Sequence, residues 1–412
     1  MRQVVIASAA RTPIGSFNGA LKGVPATKLG SLVVAEAVKR AGLEAGQVDE
    51  VIMGNVVSAG LGQAPARQAA LGAGLPESVG ALTINKVCGS GLMAVVLAAR
   101  ATAQGDAEVV VAGGMESMSR APYLLTQARE GYRMGHGKLL DAMIHDGLWD
   151  PYHDFHMGMC GELCAASCQI GRDSQDEFAI QSYQRALKAQ REGEFAAEIV
   201  PVQVATTRGE RGVFEEDEDP RRFDPEKLKR LPPSFQPDGT ITAGNAPSVN
   251  DGAAALTVMS LERAEILELR PMARIVGYAM AAVAPEWFTL APAEAIRKLL
   301  KKTGLELKDF DLFEINEAFA VVALAAIQRL GLDRERVNVN GGAVALGHPI
   351  GASGARILTT LLYAMQDSGA TLGLAAICLG GGEAVAMAVE RLYSASPASW
   401  PPSVPPRLPD RA

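Results

Sequence analysis

Two cysteines, a histidine and an asparagine occupy glycine-dense or strand-end positions that suit covalent and acid–base chemistry. Cys88 lies in Asn85-Lys86-Val87-Cys88-Gly89-Ser90-Gly91. A strand-like approach, Ala81-Leu82-Thr83-Ile84, precedes it, and the run Leu92-Met93-Ala94-Val95-Val96-Leu97-Ala98-Ala99 follows. That run is apolar on every face and reads as a buried helix. Gly89 and Gly91 permit a tight turn into it. Cys88 would then stand at a helix N-terminus, where the macrodipole lowers the thiol pKa from its reference of about 8.5 and favours a nucleophilic thiolate. A small, inert core cysteine is the other reading of the same position.

His348 is the only histidine in the second half of the chain, within Asn338-Val339-Asn340-Gly341-Gly342-Ala343-Val344-Ala345-Leu346-Gly347-His348-Pro349-Ile350-Gly351. Cys378 stands at the exit of the apolar strand Leu374-Ala375-Ala376-Ile377, before Leu379-Gly380-Gly381-Gly382. Asn316 opens Asn316-Glu317-Ala318-Phe319, just past the strand Leu312-Phe313-Glu314-Ile315. Strand C-terminal ends are where α/β sheets keep their sites. Packing of the histidine and cysteine in the core, and helix capping by the asparagine, are the plain structural alternatives.

The elements that must position these groups follow from the patterning. Strands expected at 4–7, 51–54, 81–84 and 108–112 alternate with helices at 26–41, 63–72 and 90–99. After a break, strands at 274–278, 312–315 and 374–378 alternate with helices at 291–303, 318–330 and 352–368. Such alternation predicts a mainly parallel sheet covered by helices. The two series resemble copies. Gly89-Ser90-Gly91 opens a helix leading to Gly113-Gly114-Met115-Glu116, and Ala352-Ser353-Gly354 opens one leading to Gly381-Gly382-Glu383. The repeat predicts duplicated α/β halves.

The boundaries are a first half over 1–118, an inserted loop or lid region over 119–249, a return to the first half over 250–271, and a second half over 272–392. A Pro-rich tail over 393–412 is expected to be disordered. The insert carries a clear helix at 174–193 and an acidic run, Glu215-Glu216-Asp217-Glu218-Asp219, expected to be solvated.

The 412 residues are 48% hydrophobic and 21% charged, with 43 glycines and a net charge of −7. Two or three domains are expected from the length. No basic stripe with interleaved aromatics is present, which argues against nucleic acid as a partner. The five cysteines do not form a disulfide framework, so a reducing cytoplasm is the expected setting. No signal peptide and no membrane span are expected. Cys160, Cys164 and Cys168 recur every four residues near His153 and His156. One helix face cannot wrap a tetrahedral ion, so packing is expected there and no metal. No complete G-x-G-x-x-G or P-loop pattern occurs.

Together, Asn85 to Gly91, Asn316-Glu317-Ala318-Phe319, Gly347-His348-Pro349 and Cys378-Leu379-Gly380-Gly381-Gly382 resemble the thiolases in order and spacing. So do Arg11-Thr12-Pro13, Gly113 to Ser119 and Thr242-Ala243-Gly244-Asn245. The resemblance spans residues 4–390. It implies two duplicated α/β halves in α-β-α-β-α layers with an inserted loop domain. His156-Met157-Gly158 is similar to the acetyl-CoA acetyltransferase branch, which makes acetoacetyl-CoA and CoA from two acetyl-CoA by a ping-pong route. The CoA thioesters are then substrates and no cofactor is implied.

By resemblance, Cys88 carries the acyl group and His348 takes its proton, while Cys378 removes the α-proton of the second thioester. One oxyanion falls to His348 with a water held by Asn316, the other to the N–H groups of Cys88 and Gly380. CoA contacts map to Leu148, His156, Met157, Phe235, Ala243 and Ser248, with Phe319 closing the pocket and Arg221 or Arg222 toward the nucleotide. Two departures stand out: Pro247 between Asn245-Ala246 and Ser248, and the bulky pair Trp287-Phe288.

The rival readings are a degradative 3-ketoacyl-CoA thiolase of broader chain length, a catalytically silent acyl-CoA or lipid carrier, and a decarboxylating ketosynthase. The last would not need a thiol at 378. The family's assembly is dimeric or tetrameric. The apolar segment from Ser119 to Met143, with Tyr123, Tyr132 and Met134, has no counterpart in the second half. It predicts an arm covered by another subunit, hence a homotetramer.

Overall fold

The computed structural model describes residues 2–205 and 211–392; the expectation for the tail lies outside them. Nine strands and eight helices form the frame. In chain order they are β1 (Val4–Arg11), α1 (Ala26–Arg40), β2 (Glu50–Gly54), α2 (Pro65–Gly72), β3 (Gly80–Ile84), α3 (Ser90–Gln104) and β4 (Val109–Ser117). There follow α4 (Met157–Cys168), α5 (Arg172–Glu192), β5 (Asn250–Ser260), β6 (Ala273–Ala282), α6 (Ala291–Thr303), β7 (Leu312–Ile315), α7 (Ala320–Leu330), α8 (Ile350–Ser368), β8 (Leu372–Leu379) and β9 (Glu383–Arg391).

Their hydrogen-bonded order is β7-β8-β9-β6-β1-β5-β4-β2-β3, with a two-residue strand, Gly15–Ser16, paired to β5. Only two residue pairs, Val5 with Arg274 and Ile6 with Ala273, join the halves across β1 and β6. So short a seam lets the two halves of the sheet face each other.

Alternating side chains build the layers, because successive residues of a strand point to opposite faces. Ile52, Val110, Ala112 and Leu256 share one core with Ala375, Ile377, Val385 and Met387, filled by α3 and α8. Val51, Met53, Val109 and Val111 face α1 and α2. Leu374, Ala376, Ala384 and Ala386 face α6 on the far side. The result is the layering α-β-α-β-α. Strands covered on both faces read as continuous apolar runs. At the centre, a Cβ on Gly91 would lie 2.7 Å from the backbone nitrogen of Ala355, and one on Gly354 would lie 2.4 Å from that of Leu92. Glycine is therefore what lets α3 and α8 touch backbone to backbone.

The expectation of a mainly parallel sheet is corrected. Only β2–β3, β2–β4 and β7–β8 are parallel; β1–β5, β4–β5, β1–β6, β6–β9 and β8–β9 are antiparallel. β5 and β9 run through the Gly- and Ala-rich stretches that follow Asn250 and Gly382, which carry little strand signature. Between β8 and β9 there are only three residues, Gly380–Gly382, and a tight turn reverses the chain whereas a parallel crossover needs a dozen residues or more.

The acidic run is corrected in part: Glu215 and Glu216 are exposed as expected, but Asp217 and Asp219 are buried. Asp217 is fully buried, and both its oxygens bind the Arg11 guanidinium at 2.7 and 2.9 Å while Glu198 takes Arg11 Nε at 2.6 Å. A buried arginine requires such partners. Segment Val87–Gln104 is long and apolar enough to cross a membrane, which the sequence reading did not flag. It forms the central helix of the five layers.

Candidate active site

The Cys88 loop is closed by local hydrogen bonds. Ser90 Oγ donates to the carbonyl of Val87 (2.6 Å) and accepts from the N–H of Lys86 (2.8 Å). Val87 has φ +45°, a left-handed conformation that is costly for a β-branched residue and marks strained functional turns. Cys88 packs partly buried against Val56, Val57, Ile350 and Leu148.

Helix position alone predicts a lowered thiol pKa. The structure overturns this: burial pushes Cys88 up to about 12, opposed by the N–H groups of Gly380 and of Cys88 itself and aided by the Glu116 charge. Cys88 therefore rests as a thiol. Gly380 belongs to the turn after β8, so a backbone N–H of the second half acts on the cysteine of the first.

His348 is buried. Its backbone N–H donates to Asn250 Oδ1 at 2.8 Å, and its Nδ1 lies 2.6 Å from Ser353 Oγ. Nε2 has no partner among the described residues. Burial first, then the Arg356 charge, lowers its pKa to about 3. A neutral imidazole with one open nitrogen is the form suited to accept a thiol proton.

Asn316 is 1% exposed, and neither its Nδ2 nor its Oδ1 has a partner among the described residues. Buried amides left open are rare and point to a ligand or an ordered water. The surrounding segment is pinned. Asn338 exchanges bonds with the backbone of Ile315 at 2.8 and 2.9 Å. Glu317 accepts from Asn338 Nδ2, Ser182 Oγ and the N–H of Val344. Phe319 is extended (φ −154°, ψ 155°), so α7 starts two residues later than the periodicity predicts and Asn316 stays in a loop rather than capping the helix.

Cys378, at the end of β8, is fully buried against Met157, Phe288 and Phe319. Burial, then the proximity of Cys88, raises its thiol pKa well above the ordinary value. The two cysteines thus meet between two apolar clusters, one holding Leu148 and the other Met157.

Of the residues assigned to CoA, His156 stacks on Phe235 (centroids 4.8 Å apart), and Phe235 meets Phe319 edge-on at 5.9 Å. Leu148, Met157, Phe235 and Phe319 therefore flank the two thiols. Ala243 is exposed, as is Ser248. The Ser248 hydroxyl binds Asp219 and lies 2.9 Å from Asn250 Oδ1, the atom that accepts from His348. Ser248 is thereby tied to the histidine loop despite the intervening proline. Arg221 is exposed and paired with Glu216, and Arg222 with Glu218. Cys160 and Cys164 pack in the cluster around Met157.

Sequence reasoning missed Ser353, Asn250, Glu116 and Glu317. Glu116 is fully buried and gathers Asn55 Nδ2 and the N–H groups of Val56, Val57 and Gly351 at 2.8–3.2 Å. It thus binds the start of α8 to the loop after β2. Its place in the repeat, opposite Glu383, was the one available signal.

The comparisons agree with this architecture. Residues 4–262 match the model of the thiolase N-terminal domain and residues 269–391 that of the thiolase C-terminal domain. Acetyl-CoA acetyltransferase 2 of Arabidopsis thaliana is 54% identical over 95% of this chain and 98% of its own. The acetyl-CoA acetyltransferase of Escherichia coli (strain K12) is 53% identical over 95% and 100%. The crystal structure of the Bacillus anthracis acetyl-CoA acetyltransferase superposes with a TM-score of 0.93 at 47% identity, covering 95% of this chain and 99% of that one. These matches place the chain in a definite class: it belongs to the thiolase family and is an acyltransferase.

Proposed function

We propose that the protein is an acetyl-CoA C-acetyltransferase that reversibly condenses two acetyl-CoA into acetoacetyl-CoA and CoA through acetyl-Cys88. The observation that carries this reading is that the backbone N–H groups of Gly380 and of Cys88 itself both favour negative charge at the Cys88 sulfur, the two donors that a thioester oxyanion at that sulfur would use. Relatives at 50–54% identity bearing that name support the acetyl substrate.

The steps balance as follows. Cys88 gives its proton to His348 Nε2, and its sulfur attacks the acetyl carbonyl, whose oxygen turns to the Cys88 and Gly380 N–H groups. The tetrahedral species expels the CoA thiolate, which takes the Cys378 proton and leaves as CoA. Cys378, now a thiolate in an apolar pocket, is a strong base and removes the α-proton of the second acetyl-CoA. The enolate oxygen is met by His348 Nε2–H and a water held by Asn316. The α-carbon attacks acetyl-Cys88, and the released Cys88 thiolate recovers its proton from His348. No cofactor beyond the CoA thioesters enters.

Leu148, His156, Met157, Phe235 and Phe319 would hold the pantetheine arm, with Ala243 and Ser248 at its side and Arg221 toward the nucleotide. The chemistry needs both thiols reduced, which suits the cytoplasm. The assembly is a homotetramer. Residues Tyr123–Leu124 pair with Leu140–Asp141 at the base of the arm, while Tyr123, Leu125, Met134 and Leu139 are exposed; such apolar surface is costly unless covered.

The test is thiolysis of acetoacetyl-CoA against longer 3-ketoacyl-CoAs. A marked preference for acetoacetyl-CoA supports the proposal. Equal or faster turnover of longer chains would assign the degradative activity instead.

A further inference from the structure

The oxyanion hole is split between halves of the chain, so something must fix the Cys88 loop against the Gly380 turn. Within the first half, Ser90 closes the loop on itself but does not reach the second half. Among the described residues, one side-chain hydrogen bond does. Lys86 Nζ lies 2.6 Å from Glu383 Oε2, across 297 residues of sequence, with the side chains only 26% and 35% exposed. Lys86 is two residues before Cys88, and Glu383 three after Gly380. The pair therefore spans the two N–H donors at nearly the shortest covalent distance from each.

The repeat strengthens this assignment. In Gly113-Gly114-Met115-Glu116 and Gly381-Gly382-Glu383 a glutamate follows paired glycines, Glu116 near the end of β4 and Glu383 at the start of β9. Glu116 of the first half holds Gly351 at the start of the second half's central helix. Glu383 of the second half holds Lys86 beside the start of the first half's central helix. Each half thus holds a loop of the other through a glutamate, once by backbone N–H groups and once by an ammonium.

We propose that the Lys86–Glu383 ion pair is a positioning element that sets the spacing of the Cys88 and Gly380 N–H donors around the acyl oxygen. It rests on the acyl-enzyme reading given above. A partly exposed ion pair contributes little to stability, so its loss should register in the geometry of the hole and leave folding intact.

The experiment uses the full-length protein and the variants Lys86→Gln, Glu383→Gln, Lys86→Arg and the exchanged pair Lys86→Glu/Glu383→Lys. Each is mixed with acetyl-CoA labelled with ¹³C at the carbonyl. The rate of Cys88 acetylation is followed by mass spectrometry and the carbonyl stretch of the acyl-enzyme by isotope-edited infrared spectroscopy. The neutral single variants should acetylate about 10- to 100-fold more slowly, a fraction of what removing a whole oxyanion donor costs. Their carbonyl stretch should move to higher frequency, toward that of the denatured acyl-protein, because the donors bind the oxygen less well. KM for acetyl-CoA should stay within about threefold. Lys86→Arg and the exchanged pair should restore both rate and frequency, and the exchanged pair decides the matter should a single variant prove unstable.

Single variants that match the parent in rate and stretch would overturn the brace alone. An exchanged pair that folds yet recovers neither would do the same. A parent protein that takes up no acetyl group at Cys88 would overturn the acyl-enzyme reading beneath it.

Discussion

Ser353 Oγ lies between two partners, His348 Nδ1 at 2.6 Å and the carbonyl oxygen of Pro349 at 2.9 Å. A hydroxyl has one proton and a carbonyl only accepts. Ser353 therefore donates to Pro349 and accepts from Nδ1–H, which leaves Nε2 as the bare nitrogen. One turn of α8 thus assigns the tautomer that a thiol-deprotonating base requires. Ser353→Ala removes the acceptor and should slow Cys88 acetylation by about 10²-fold, within the range of general-base contributions. Ser353→Thr, which keeps the hydroxyl, should lose far less. Rapid-quench measurement of acetyl-Cys88 checks this, and equal rates for the two variants would count against the assignment.

The two thiols should separate by half-reaction. Cys378→Ala should still accept an acetyl group at Cys88 but lose condensation by at least about 10²-fold, because only the second half-reaction removes an α-proton. Mass spectrometry of the acyl-enzyme and a steady-state condensation assay give the two readings. Retained condensation would mean that another group is the base.

The buried histidine makes an acid-stability prediction. Its pKa is lowered from an unfolded value of about 6.5 to about 3. The folded state then refuses a proton that the unfolded chain accepts. The stabilising contribution is complete above about pH 6.5 and is lost as pH falls toward 3. Glu116, raised to about 7 by burial, acts in the opposite direction: its contribution is present below about 4.5 and is lost as pH rises through 7. Comparing the parent with His348→Asn isolates the histidine. The parent's thermal midpoint should drop faster than the variant's between pH 7 and 5, and parallel curves would show that His348 is not held neutral.

Phe235 joins His156 and Phe319 in one aromatic group beside the thiols. Phe235→Ala should raise KM for acetyl-CoA about tenfold, in keeping with loss of a large apolar contact. It should leave kcat within about threefold, because the lost contact is made equally in ground and transition states. Steady-state kinetics decides. A fall confined to kcat would place Phe235 in the chemistry instead.

The arm gives an assembly prediction. The intact protein should scatter light as a tetramer at micromolar concentration, and a variant lacking Tyr123 to Lys138 should scatter as a dimer. An unchanged tetramer would remove the arm from the interface.

Much of the site was legible because its residues carry their signals locally. Cys88, His348, Asn316 and Cys378 each sit beside glycines or at a strand end, and apolar helices follow the first three. What was not legible depends on partners far away in the chain. Asp217 reads as solvated charge, and Glu116 and Glu317 carry no role of their own, until the guanidinium and the backbone N–H groups that surround them are placed. β5 was hidden because it opens with Asn250-Asp251-Gly252 and continues in alanines, weak strand formers that succeed here only because two strands flank it. The thiol pKa of Cys88 went the wrong way for a related reason: the helix start is a local feature, whereas the desolvation that outweighs it comes from the packing of both halves.

The close approach of Gly91 to Ala355 and of Gly354 to Leu92 acts as a gauge. α3 starts two residues after Cys88, and α8 two residues after His348, so the separation of nucleophile and base is referred to the thickness of two bare backbones pressed together. No rotatable side chain lies in that measurement. A single methyl at either glycine would act as a shim at the centre of the molecule. It would open the gap between reacting groups that no surface change could reach, while leaving every reactive residue present in the sequence.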